Sequence, residues 1–111
     1  MNLVKRFFLC LGLFVNLELA EATDLRGRVD GIHGYTQQPF PLGGAHITLL
    51  VQNPAGGSTQ VATTVSGTDG LYYFKNIKPG NNFILQVNDT NYSLAVRDIP
   101  SQEIEPVLLR F

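Results

Sequence analysis

From Thr23 onward the chain is built of short runs in which apolar and polar residues alternate, cut by clusters of Gly, Pro, Asn and Asp at spacings of about ten residues. Nowhere do apolar residues recur at helical spacing for three turns. A chain with this rhythm can bury an apolar face only by pairing strands, so the fold class read from the sequence is all-β.

The strands can be placed individually. In Asp24–Asp30, Leu25, Gly27 and Val29 share one face and Arg26 and Arg28 the other. A glycine on an inner face weakens its strand, so Gly27 predicts that another group approaches closely there. A loop, 31–44, carrying Tyr35, Phe40 and Pro41, is expected next. Ala45–Gln52 alternates most cleanly, with Ala45, Ile47, Leu49 and Val51 inward and His46, Thr48, Leu50 and Gln52 outward. Asn53–Gly57 has turn chemistry, and the Val- and Thr-rich Ser58–Ser66 closes a hairpin. Leu71–Ile77 follows the Asp69-Gly70 turn, Phe83–Asn88 follows Pro79-Gly80, and Tyr92–Arg97 is a weaker strand. Glu103–Phe111 is expected to be last, at an edge or broken by Pro106 so that 107–111 is the true strand. Seven short strands at this spacing predict a β-sandwich.

The N-terminus sets the expected compartment. Lys5 and Arg6 precede an apolar run, Phe7–Leu17, that is too short to span a bilayer, and Ala20-Glu21-Ala22 supplies small residues where a signal peptidase reads. Residues 1–22 are therefore expected to be a signal peptide and 23–111 one domain, secreted or held in a periplasm or cell envelope, meeting the membrane only during export. The single cysteine, Cys10, lies in the leader, so neither a disulfide framework nor a thiolate metal site is available to the domain. The leader takes two basic and two acidic residues with it, and no basic stripe remains for nucleic acid.

In order and spacing, Leu25-x-Gly27-x-Val29, Pro41-Leu42-Gly43-Gly44-Ala45-x-Ile47-x-Leu49, Asp69-Gly70-x-Tyr72-x-Phe74-x-x-Ile77-x-Pro79-Gly80 and Phe83-x-Leu85-x-Val87 resemble the carboxypeptidase regulatory-like domain. The match runs from about Asp24 to Asn88. It implies a transthyretin-like, seven-stranded Greek-key sandwich, related to Cna protein B-type repeats and to carbohydrate-binding-like folds. One departure is an extra residue between Gly80 and Phe83, expected to alter that turn but not the core. On this reading Asp69, Gly70, Tyr72, Phe74, Pro79 and Gly80 build the fold: a turn pair sets the register, two aromatics fall inward, and Pro79-Gly80 returns the chain.

Functional candidates are sparse. His33 and His46 are the only histidines, and neither is accompanied by an acidic or cysteine cluster at ligand spacing. Hydroxyisourate hydrolases, on a related fold, need clustered His and Arg and a Tyr-Arg-Gly-Ser tail; this chain ends Leu109-Arg110-Phe111, which leaves a transthyretin-related hydrolase as the remotest alternative. No nucleophile elbow or phosphate loop is present, so no catalytic residue, cofactor or metal is expected. The lysine and Asn/Asp pair of an isopeptide crosslink is also missing from the first and last strands. Asn88-Asp89-Thr90 and Asn91-Tyr92-Ser93 match the glycosylation pattern, and turn chemistry accounts for both asparagines. Two classes remain: a module for interaction or assembly with an extracytoplasmic protein, through a sheet edge or the 31–44 loop, and a glycan-binding module in which Tyr35, Phe40 or Tyr73 stacks on sugar. Outward Leu50 and one of Leu108 or Leu109 suggest an apolar patch.

Overall fold

The computed structural model describes residues 22–35 and 37–111. The expected leader, with Cys10, lies outside the described residues. Nine strands follow in order: β1 Thr23–Ile32, β2 Pro39–Pro41, β3 His46–Gln52, β4 Ser58–Val65, β5 Leu71–Ile77, β6 Gly80–Val87, β7 Thr90–Val96, β8 Ser101–Glu103 and β9 Val107–Arg110. They form two sheets, and the described residues contain no helix.

The first sheet is organised around β1, the longest strand. Along one edge β1 pairs antiparallel first with β5 and then with β2; along the other it pairs parallel first with β8 and then with β9. The second sheet is antiparallel in the order β4-β3-β6-β7. After the β3–β4 hairpin the chain crosses to β5 in the first sheet, then returns as β6 to lie beside β3, a Greek-key return.

The core between the sheets is made by the residues that alternation placed inward: Leu25 and Val29 from β1, Ile47 and Leu49 from β3, Tyr72 and Phe74 from β5, Leu85 and Val87 from β6. Each fully buried aliphatic or aromatic side chain here contributes about 2 kcal/mol through removal of apolar surface from water. Arg26 and Arg28 stay outside, as the two-residue period requires.

The group that approaches Gly27 is the Tyr72 ring. The two residues are cross-strand partners, and a Cβ at Gly27 would overlap that ring. The ring meets Phe74 edge-on, with centroids 5.9 Å apart.

The Asp69-Gly70 turn docks on β1. The Asp69 carboxylate accepts the Leu71 N–H at 3.0 Å, and the Gly70 carbonyl accepts the Val29 N–H at 2.8 Å. Gly70 has φ 80°, and a Cβ there would lie 2.6 Å from the Val29 carbonyl oxygen, so only glycine fits.

Several sequence expectations are corrected. The strand count is nine rather than seven, because two short strands use β1 as a template: Pro39–Pro41 inside the expected loop, and Ser101–Glu103 before the Pro106 break. Gly31 and Ile32 belong to β1, so the loop is shorter than 31–44. Leu50 is half-buried on the outer face of the second sheet, beside Ile84, while the exposed member of the Leu108/Leu109 pair, Leu108, lies in the first sheet. They form no common patch. Asn91 sits within β7 rather than in a turn, whereas Asn88 turns the β6–β7 hairpin with φ 51°, its side-chain oxygen accepting the His46 N–H at 3.0 Å. The extra residue after Gly80 appears as a register irregularity between Gly80 and Phe83 that leaves the β3–β6 pairing continuous.

Candidate functional site

The three aromatics singled out for ligand contact do not form one platform. Tyr73 pairs with Arg26 on the outer face of the first sheet, while Phe40 pairs with Gly31, five positions further along β1 and on the inward-pointing series. At strand rise this separates them by roughly 17 Å, on opposite faces.

Phe40 is already engaged. Its ring covers Gly31, where a Cβ would overlap it, stacks on His33 at 5.0 Å, and lies 6.3 Å from Phe111. The cluster packs beside the last residues of β1. Tyr35 stands fully exposed in the remaining loop.

Tyr73 is the available one, 50 % exposed. It borders a shallow depression of about 320 Å³ together with Arg26, Arg28, Leu71, Glu103 and Pro106. Both guanidiniums there are committed: Arg26 pairs with Glu103, and Arg28 donates to Asp30 at 2.9 Å. His46 is exposed on β3, and no group of three metal-ligating side chains occurs among the described residues.

A second feature was not anticipated from sequence. The two sheets close on one flank and part on the other. On the closed flank Ser66, buried after β4, accepts the Ala45 N–H at 2.9 Å and donates to the Leu42 carbonyl at 2.7 Å, which clamps the chain as it crosses towards β5. On the other flank a cleft of about 380 Å³ opens between β7 and the β8–β9 connection, lined mainly by Leu85, Tyr92, Leu94, Ile104, Pro106 and Val107.

The cleft runs beside a sheet edge that lacks the usual protection. Natural edges are blunted by bulges, prolines, charges or brevity. β4 carries a register shift opposite Leu49/Leu50, β5 carries Lys75 and a register shift opposite Thr23/Leu25, β8 and β9 are three and four residues long with Pro106 between them, and β2 is three residues long with two prolines. β7, Thr-Asn-Tyr-Ser-Leu-Ala-Val, has seven residues with no charge and no proline, and its pairing with β6 is regular from Thr90 to Leu94.

Which backbone groups β7 leaves free follows from hairpin parity. Val87 and Thr90 flank the two-residue turn, so Thr90, Tyr92 and Leu94 bond to β6, and Asn91, Ser93 and Ala95 direct their N–H and C=O groups to the open side. Gln102 reaches this edge at one end only: its amide donates to the Ala95 carbonyl at 2.9 Å and accepts the Arg97 N–H at 2.8 Å. The sequence signal for this surface was the run itself, free of charge and proline.

Comparison with known proteins bears on the fold. No protein-family model matches the chain, and no curated protein matches it in sequence. Among solved structures, the major plantain pollen allergen Pla l 1 superposes with a TM-score of 0.64 at 9% identity, covering 79% of this chain and 92% of the allergen. The minor pilin of Streptococcus agalactiae superposes with a TM-score of 0.59 at 10% identity, covering 81% of this chain and 44% of the pilin. A 9R-lipoxygenase from Cyanothece gives 0.58 at 9% identity, over 86% of this chain and only 17% of the enzyme. The shared element is the two-sheet β-sandwich. It is a scaffold found in an allergen, in a pilin and as a small part of an enzyme, so the likeness bears on the fold and the role is argued from the surface. Among the described residues no helix is long and apolar enough to cross a membrane.

Proposed function

We propose that this chain is a non-catalytic module of the carboxypeptidase regulatory-like type, exported by residues 1–22 and working outside the cytoplasm as Thr23–Phe111 in protein interaction or assembly. The observation that carries this reading is the open flank: an unprotected strand edge beside an apolar cleft is a surface built to accept a further strand, whose backbone bonds supply affinity and whose alternate side chains enter the cleft. The likeness to a minor pilin, a protein that carries a similar sandwich, supports the reading.

A second reading is favoured by Tyr73, a half-exposed ring over a shallow depression flanked by hydrogen-bonding side chains, the arrangement that binds a sugar by stacking. One paired experiment separates the two. An envelope pull-down and a glycan array with the purified protein should give a specific retained protein and a silent array. Glycan binding lost in Tyr73→Ala would replace the assembly reading with the carbohydrate one.

A further inference from the structure

Building on the assembly reading, we propose that the occupant of the β7 edge is a second copy of this chain, paired antiparallel with β7 about a two-fold axis through Ser93. The open groups on the edge are those of Asn91, Ser93 and Ala95, and Gln102 ends the free run at Ala95, so its centre is Ser93. With Ser93 opposite Ser93, Asn91 of each copy meets Ala95 of the other, and the pairs bond reciprocally. The Ala95 carbonyl, already accepting from Gln102, keeps a second lone pair for this.

In this register the side chains are self-complementary. Asp89, in the β6–β7 turn, and Arg97, just past the end of β7, each stand four positions from Ser93, so the two-fold brings Asp89 of one copy level with Arg97 of the other, twice per dimer. Both are exposed, and neither makes an ion pair among the described residues. On the cleft side Tyr92 comes opposite Leu94 of the second copy, also twice; both are partly buried against the core and line the cleft. Between the two charged positions the edge carries no charge to repel its own kind. Because the same patch is used by both copies, the contact is closed: it yields a dimer with one continuous eight-stranded sheet and leaves outward only the short, bulged or proline-bounded edges.

The test is sedimentation equilibrium on the purified full chain and its variants, with circular dichroism to confirm folding. The wild type should dimerise in a concentration-dependent way. Asp89→Arg and Arg97→Asp should each weaken the dimer by on the order of tenfold, two exposed ion pairs being replaced by like charges, and the double variant should recover most of that loss. Ser93→Pro should be a folded monomer. A wild type that stays monomeric at every concentration overturns the proposal, as does a dimer indifferent to both the charge variants and Ser93→Pro. The assembly reading is scored separately by the envelope pull-down: a monomer that still retains a specific protein through β7 keeps that reading while removing the second copy as occupant.

Discussion

The two flanks of the sandwich are made of the same kind of strand and differ in how the chain treats the gap between the sheets. On the closed flank the chain crosses between sheets through short, fully bonded segments: Ser66 ties Leu42 to Ala45, Gly67 donates to the Leu71 carbonyl, and Gly70 sits against Val29 with no room for a side chain. On the open flank the crossing from β7 to β8 is secured at its start, where Thr23 donates to the Arg97 carbonyl and Gln102 grips both sides of Val96, but on its outer side the middle of β7 has no partner strand among the described residues. The difference teaches that backbone satisfaction was completed where the fold needed it and left incomplete along one regular, uncharged stretch.

The contrast predicts unequal tolerance to mutation, and the largest effect belongs on the packed side. Gly27→Ala puts a methyl group into the Tyr72 ring and should lower stability by about 3 kcal/mol. Combined with Tyr72→Val, which removes the ring, the loss should fall well short of additive in urea titrations, the sign that the two positions act as one contact. Ser66→Ala strips a buried Ala45 N–H of its partner and frees the Leu42 carbonyl, and should cost about 2 kcal/mol by the same measurement.

Tyr72 itself holds an imperfection. Its phenol oxygen is buried with no hydrogen-bond partner among the described residues, and burial pushes its pKa from 10.0 up to about 12. Tyr72→Phe should therefore raise stability by about 1 kcal/mol at neutral pH. The sign of the pH effect follows from the raised value. The folded state keeps the phenol neutral while the unfolded chain ionises from pH 10, so this contribution is complete below pH 10 and is lost as the pH climbs towards 12. The wild type should lose on the order of 2 kcal/mol more than the Phe variant across that window, read from unfolding midpoints.

The smallest effect is expected on the open flank. Ser93→Pro removes an N–H that faces away from β6 and bonds to nothing among the described residues, and should cost less than about 1 kcal/mol, the tolerance expected at edge positions facing outward. A loss comparable with that of Ser66→Ala would mean that β7 is not an edge.

Much of the fold was legible because β-structure writes itself in period two. Arg26 and Arg28 outside, Leu25 and Val29 inside, and the turn role of Asp69-Gly70 needed only local pattern and the steric rule for glycine. Gly27 announced a close neighbour without naming it, since Tyr72 lies 45 positions away and only the β1–β5 register brings the two together. The three-residue strands were illegible for a similar reason: Pro39–Pro41 and Ser101–Glu103 have no pattern of their own and are strands only because β1 runs beside them. Of the candidate sites, the outward position of Tyr73 could be read from alternation. The capture of Phe40 by Gly31, His33 and Phe111 could not, because it depends on the β1–β2 register and on Phe111, 71 positions away. The open flank was hidden because an edge is a property of what is missing beside a strand.

Residue-resolved amide hydrogen exchange along β7, run on a dilute sample, tests the asymmetry most directly. Protection should alternate, with the Asn91, Ser93 and Ala95 amides exchanging fast and the Tyr92 and Leu94 amides, bonded to β6, protected along with those of β3. Uniform protection from Asn91 to Ala95 at low concentration would show that this edge is already paired within the chain and would contradict the account.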